Sequence, residues 1–209
     1  MKLHFCSLNK EWCDLIGELF KDAIVTCGDV AEIPRENTVF VSPANCLGFM
    51  DGGIDMVYSR KMFPGCEKQV RDRIRSLGFK TGLGRYYFRI GSAFIVPVAE
   101  TTGLICAPTM FLPHDVSATQ NAYRSFLAAL LVAKKAGDFG TLVVTSHCCG
   151  YGKMSITESA NQMKRAYNDF VEGFHDTDTS PDDPYLVLMP SYDAEQPANF
   201  DNREIHEIN

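Results

Sequence analysis

The sequence has 209 residues, of which 45% are hydrophobic and 22% are charged, a composition typical of one globular domain with a sizeable core. Its formal net charge of −6 argues against a broad nucleic-acid-binding surface, because contacts to phosphates need clustered Lys and Arg. No stretch approaches the roughly 20 apolar residues of a membrane span, and no signal-peptide pattern is found. We therefore expect no membrane partner and a cytoplasmic or nuclear location.

Eight cysteines are spread through apparent strands, helices and loops, without a Cys-x-x-Cys pair and without clustered His. This spacing predicts no zinc site and no other metal centre. Several of the cysteines lie in apolar runs, as reduced core cysteines do. A reducing compartment is the favoured interpretation, and a disulfide-stapled secreted domain is the alternative.

Apolar runs that suit buried strands alternate with segments whose apolar residues have helical spacing. In chain order the predicted elements are a helix at 11–21, strands at 23–27 and 38–42, helices at 54–62 and 67–77, strands at 93–98 and 104–107, a helix at 118–136, a strand at 142–145, a helix at 158–172 and a strand at 185–189. Ser117 and Thr157 are the predicted N-caps of the last two helices. This alternation predicts an α/β fold with a mostly parallel sheet that is covered on both faces.

One domain is predicted over residues 1–190. Residues 191–209 are rich in Asp, Glu, Asn and Pro and have little apolar periodicity, so they are predicted to form a polar C-terminal extension without an assigned function.

The most informative segment runs from Ser42 to Asp55 and has the sequence Ser-Pro-Ala-Asn-Cys-Leu-Gly-Phe-Met-Asp-Gly-Gly-Ile-Asp. It follows a buried strand and leads into a helix. Glycines at such a place let backbone N–H groups approach an anion at a helix start, where the helix dipole favours negative charge. Asn45 and Asp55 would lie on either side of this anion site.

This segment resembles the signature of the macrodomain family, in which a strand ends in Asn-Ala-Ala-Asn and a Gly-rich loop leads to Val-Asp-Gly. Asn45 and Asp55 reproduce the family spacing of ten residues. The resemblance implies a three-layer α/β/α fold with a mixed, mostly parallel central sheet. It also implies a site for ADP-ribose, free or attached to a macromolecule, with no cofactor. The turn Pro108-Thr109-Met110 resembles a bacterial and phage branch of the family.

Three loops would form this site. The resemblance assigns Asp29, in Cys-Gly-Asp-Val, to the adenine amino group together with Val30, and an acceptor-only carboxylate suits that contact. A simple turn after a strand is the alternative for Asp29. In the second loop the resemblance implies that Ala44 and Asn45 contact the distal ribose. The backbone of Gly52, Gly53 and Ile54 would lie at the diphosphate.

The third loop has the sequence Ser-His-Cys-Cys-Gly-Tyr-Gly at 146–152 and matches only part of the family pattern Ser-Thr-Gly-x-Tyr/Phe-Gly. Here Cys149 takes the position of the first Gly. Gly150 and Gly152 would hold the diphosphate through their backbone, and Tyr151 would cover the ribose. Phe49, Tyr151 and Tyr192 are each candidates for stacking on adenine or ribose, whereas Lys153 is expected to be solvated.

Asp55 and Asn45 are the predicted catalytic residues. A carboxylate beside a ribose anomeric carbon can position a water or stabilise an oxocarbenium-like transition state. Helix capping is the alternative for Asp55. Three positions depart from the family pattern: Asp51 adds negative charge beside the diphosphate, Met56 replaces a frequent Gly, and Ser59 stands where many hydrolytic members have His.

The sequence therefore favours an ADP-ribosyl hydrolase that needs no metal, in which Asp55 and the diphosphate position a water. A reader of ADP-ribose without catalysis is the alternative, because it would use the same pocket. A third class is a thiol hydrolase built on Cys46, or on His147 with Cys148 and Cys149. The sequence leaves the oligomeric state open.

Overall fold

The computed structural model describes residues 1–137 and 139–173 of the chain. The strand predicted at 185–189, the domain boundary at 190, Tyr192 and the extension at 191–209 lie outside the described residues.

The elements alternate between strands and helices along the chain. The strands are β1 (Lys2–Ser7), β2 (Ile24–Cys27), β3 (Thr38–Ser42), β4 (Phe79–Lys80), β5 (Tyr86–Tyr87), β6 (Phe94–Ala99), β7 (Thr102–Cys106) and β8 (Thr141–Val144). The helices are α1 (Lys10–Leu19), α2 (Gly53–Met56), α3 (Cys66–Leu77), α4 (Asn121–Ala136) and α5 (Ile156–Glu172), with a 3₁₀ turn at Val30–Glu32. A π-helical segment (Val57–Met62) continues α2.

Six strands form one central sheet in the order β2-β1-β8-β3-β7-β6. Neighbours pair in parallel, except that β6 pairs antiparallel with β7. The short strands β4 and β5 form a separate antiparallel hairpin. The predicted mixed, mostly parallel sheet is therefore confirmed.

A hydrophobic core covers each face of this sheet. On one face α1, α4 and α5 contribute side chains such as Trp12, Phe126 and Met163. On the other, the α2 to α3 region contributes Tyr58, Val70 and others. Successive strand residues alternate between the two cores, as the pleat requires. The result is the predicted three-layer α/β/α architecture.

Several predicted boundaries differ from the structure. β1 and the β4–β5 hairpin were not predicted, and the helix predicted at 54–62 divides into α2 and the π-helical segment. The predicted N-caps are wrong: α4 has Gln120 as its N-cap, and α5 has Ser155, whose side chain accepts the backbone N–H of Glu158. Within the described residues, no helix is long and apolar enough to cross a membrane.

Candidate functional site

A cleft of about 600 Å³ opens beyond the carboxyl ends of the parallel strands. Loops that follow β1, β2, β3, β7 and β8 line it, because parallel strands that share a sheet all end at the same edge. The predicted site residues that line the cleft are Asp29, Val30, Ala44, Asn45, Gly52, Gly53, Ile54, Asp55, Gly150, Tyr151 and Gly152. All three predicted loops thus meet at one cleft.

Asp29 lies at the end of the cleft beyond β2, and both of its carboxylate oxygens have protein partners. Oδ1 accepts the backbone N–H of Ala31 at 2.9 Å and thereby caps the 3₁₀ turn. Oδ2 accepts the Lys61 ammonium at 2.6 Å, and this bond, followed by the one from Ala31, lowers the pKa of Asp29. Asp29 therefore stays charged at neutral pH, and a ligand donor would share its oxygens with Lys61 and Ala31.

The Asn45 side chain is used within its own loop. Its Nδ2 donates to the backbone oxygen of Phe49 at 2.7 Å, and its Oδ1 accepts the backbone N–H groups of Leu47 and Phe49. The Phe49 ring in turn lies under the Arg71 guanidinium, 4.6 Å from it. The amide of Asn45 thus fixes the path of the loop. The sequence predicts a contact to the ribose for Asn45 and does not predict this structural role.

The Gly52-Gly53 pair has two separate geometric roles. Gly53 has φ of +54°, in the left-handed region that favours glycine, where the loop enters α2. A Cβ on Gly52 would lie 3.3 Å from the ring of Tyr151. The ring of Tyr151 therefore lies beside Gly52, and a side chain at position 52 would crowd it.

Asp55 is buried in the wall of the cleft, with 8% of its surface exposed. Its Oδ1 accepts the hydroxyl of Ser42 at 2.6 Å. Burial raises the pKa of Asp55 to about 7, the charge of Asp51 adds to the increase, and the bond from Ser42 opposes it. The N-cap of α2 is Gly52, so the carboxylate of Asp55 bonds to β3 and does not cap the helix.

The other departures from the family pattern also have structural places. Asp51 is exposed and lines the cleft. Met56 is 39% exposed, and the hydroxyl of Ser59 donates to the backbone oxygen of Met50 at 2.7 Å, so Ser59 holds the glycine loop against the helix.

The loop at 146–152 differs from the prediction at one position. Cys148 has φ of +62° and lines the cleft, whereas Cys149 does not line it. The thiol of Cys149 donates to the backbone oxygen of His147 at 3.4 Å, and its side chain packs against the core of α1, α4 and α5. Cys148, and not the predicted Cys149, therefore lines the cleft. Gly152 is tightly packed, because a Cβ there would lie 2.5 Å from the backbone oxygen of Cys148.

Neither thiol arrangement forms a nucleophile pair. His147 is fully buried, burial lowers its pKa to about 4, and its Nε2 has no hydrogen-bond partner among the described residues. Burial also raises the pKa of Cys148 to about 12. A thiol with so high a pKa is a poor nucleophile at neutral pH. Cys46 is 1% exposed and does not line the cleft.

The charged residues that line the cleft are Asp29, Asp51 and Asp55, with no Lys or Arg among the described lining residues. In residues 1–137 and 139–173, no group of three or more His, Cys, Asp or Glu is arranged to hold a metal ion. An anion would therefore depend on backbone N–H groups and hydroxyls.

A comparison with protein-family models and one with curated proteins found no match to this sequence. Solved structures do match the fold. The macrodomain of Mycobacterium tuberculosis DarG is 18% identical, with a TM-score of 0.54 over 68% of this chain and 87% of the other. The Thermus aquaticus DarG macrodomain is 16% identical, with a TM-score of 0.55 over 79% and 90%. An Oceanobacillus iheyensis macrodomain is 16% identical, with a TM-score of 0.56 over 70% and 75%.

The chain has the macrodomain fold. Two polar side chains of this macrodomain fold were missed by the sequence analysis, although each lies at the end of a central strand. Ser42 ends β3 and bonds to Asp55, and Thr145 directly follows β8 and lines the cleft. Their positions at strand ends could have drawn attention to them, because ligands in open α/β sheets bind beyond the carboxyl ends of the strands.

Proposed function

We propose that the chain binds ADP-ribose, free or attached to a macromolecule, in the cleft beyond the strand ends. The observation that carries the proposal is that the two glycine loops meet at one cleft, with Tyr151 beside Gly52, Asp29 beyond β2 and Asp55 beside β3. Two proteins of similar fold support it: an Oceanobacillus iheyensis macrodomain mutant is described with ADPR, and Thermosipho africanus DarTG in complex with ADP-ribose.

In this proposal three groups of residues along the cleft bind three parts of the ligand. Asp29 and Val30 contact the adenine, and the backbones of Gly52–Ile54 and Gly150–Gly152 hold the diphosphate. Ala44 and the loop shaped by Asn45 contact the distal ribose. Tyr151 is 63% exposed, so it has room to reorient over a ligand.

We propose that the site also hydrolyses an ADP-ribosyl linkage without a metal, with Asp55 as the general base for a water held against the diphosphate. A base with a pKa of about 7 is half ionised near neutral pH, which suits proton abstraction. One observation favours the alternative of a reader without catalysis: Ser42 already occupies one oxygen of Asp55.

Calorimetric titration with ADP-ribose tests binding, and its key variants are Asp29→Ala and Lys61→Ala. Micromolar affinity, about 8 kcal/mol, is expected for the wild type. Asp29→Ala is expected to weaken binding at least tenfold, because the adenine loses its acceptor. Lys61→Ala, the matched control, removes the ion pair and leaves the carboxylate, so affinity should hold. No binding at millimolar ADP-ribose would contradict the proposal.

Release of ADP-ribose from ADP-ribosylated protein and nucleic acid tests catalysis. A hydrolase is expected to lose turnover in Asp55→Ala while it still binds ADP-ribose. A reader is expected to show no turnover in either form.

We also propose a cytoplasmic or nuclear location. In support, all eight cysteines are free thiols in the structure, and six of them are buried. Such thiols are typical of a reducing compartment.

A further inference from the structure

Thr145 has an unusual hydroxyl. It is the first residue after β8, it is 94% buried, and it lines the cleft. Its Oγ1 has no hydrogen-bond partner among the described residues. A buried hydroxyl without a partner destabilises a folded protein, so a position that keeps one suggests a partner that arrives with a ligand.

The neighbours of Thr145 in the sheet are already committed to other groups. Continued beyond the paired residues, the register brings Thr145 level with Cys6 of β1 and Ser42 of β3. Cys6 donates its thiol proton to the backbone oxygen of Gly28, and Ser42 donates its hydroxyl proton to Asp55. Of these three side chains, Thr145 is the one whose hydroxyl proton has no acceptor among the described residues.

The charge of the cleft determines which ligand group needs this proton. Three carboxylates line the cleft, and the described lining residues include no Lys or Arg. A diphosphate must therefore be held by neutral donors, which are backbone N–H groups and hydroxyls.

Thr145 directly precedes the loop at 146–152. Asp55, at the end of the other glycine loop, bonds to Ser42. Thr145 thus lies at the base of the two loops.

We infer that Thr145 is a specificity-determining residue whose hydroxyl donates a hydrogen bond to a phosphate oxygen of the ligand's diphosphate. This inference rests on the proposed binding of ADP-ribose and assigns one contact within it. In the free protein the unpartnered hydroxyl destabilises the fold. In the complex the hydroxyl gains an acceptor, so the same free energy contributes to binding. Loss of the hydroxyl should therefore weaken binding without weakening the fold.

The test compares Thr145→Val, which removes the hydroxyl at nearly constant shape, with Thr145→Ser, which keeps it. Calorimetry with ADP-ribose, ADP and adenosine is paired with thermal unfolding of each protein. Thr145→Val is expected to bind ADP-ribose and ADP about tenfold more weakly, to leave adenosine binding unchanged, and to unfold at the wild-type temperature or above it. Thr145→Ser should bind ADP-ribose and ADP within about twofold of the wild type.

Thr102→Val is the matched control, because the buried hydroxyl of Thr102 is partnered and donates to the backbone oxygen of Arg35 at 2.8 Å. It should lower the unfolding temperature and leave affinity unchanged. Unchanged affinity in Thr145→Val, a loss confined to ADP-ribose, or a loss of stability would each overturn the assignment of Thr145 while wild-type binding stands. Absence of binding by the wild type would instead overturn the proposed function, and the inference with it.

Discussion

Two buried titratable residues act on stability in opposite directions as pH changes. The pKa of Asp55 is raised to about 7, so the folded state holds a proton that the unfolded state releases above about pH 4. Stability therefore falls as pH rises from about 4 to 7. His147, whose pKa is lowered to about 4, gives the opposite slope between about pH 4 and 6.5. The two slopes offset each other, so a comparison of variants is needed to separate them.

Substitution of Asp55 by Asn isolates the effect of this carboxyl. The amide oxygen still accepts the Ser42 hydroxyl but carries no charge. The free energy of unfolding of Asp55→Asn minus that of the wild type should increase by up to about 3 kcal/mol between pH 5 and pH 8. Urea denaturation of both proteins at the two pH values measures this difference. Asp51→Asn should change the pH dependence in the same direction but less, since Asp51 contributes only part of the raised pKa. A parallel pH dependence in Asp55→Asn and wild type would contradict this account.

At the scale of residues, the sequence predicts which residues border the site better than it predicts their hydrogen-bond partners. The spacing of Asn45 and Asp55 predicts that both border one site, and both line one cleft. Their partners, Phe49 and Ser42, depend on how the loop and sheet fold, which spacing does not determine. The spacing also does not determine which of the two adjacent cysteines lines the cleft. Cys148 lines the cleft and has a left-handed backbone, a conformation that the sequence pattern does not predict for a residue other than Gly, Asn or Asp.

At the scale of elements, burial explains what could be predicted. β3 is fully buried and reads as a continuous apolar run, so its bounds match the prediction. β1 was missed because its sequence, Lys-Leu-His-Phe-Cys-Ser, mixes polar and apolar residues, and it becomes a strand through its pairing with β2 and β8. The strands β4 and β5 have two residues each, too short for any periodicity.

The N-cap of α5 gives a direct test at this scale. Ser155 accepts the backbone N–H of Glu158 at 3.1 Å, whereas Thr157 lies inside the first turn. Ser155→Ala should lower the free energy of unfolding by about 1 kcal/mol, measured by chemical denaturation. Thr157→Ala is the matched control and should change it by less than half of that. Equal losses in the two variants would contradict the assignment of the cap.

At the scale of the whole molecule, one sheet joins two cores. Leu104 and Ile105 are adjacent on β7, fully buried, and point to opposite faces. The single tryptophan, Trp12, lies in the core of α1, α4 and α5. If the domain unfolds as one cooperative unit, damage to either core must shift the transition that Trp12 reports.

Leu104→Ala tests this coupling from the far face of the sheet. The cavity should cost about 2 to 5 kcal/mol, and fluorescence of Trp12 and far-UV circular dichroism should shift together in denaturant. Leu83→Ala is the control, since Leu83 is 67% exposed and its loss should cost less than about 0.5 kcal/mol. A Trp12 transition that stays at the wild-type midpoint in Leu104→Ala would show that the two cores unfold separately.

The place of β1 in the sheet affects how the protein is made. β1 lies between β2 and β8, and Lys2 is paired with Thr141, 139 residues later. A ribosome adds about 5–20 residues per second, so on the order of 10 s pass between the synthesis of β1 and that of its partner β8. During that time the edge of β1 that pairs with β8 stays available to other chains. Chaperone binding to nascent chains that end before β8 is the expected consequence, and its release should coincide with synthesis of β8.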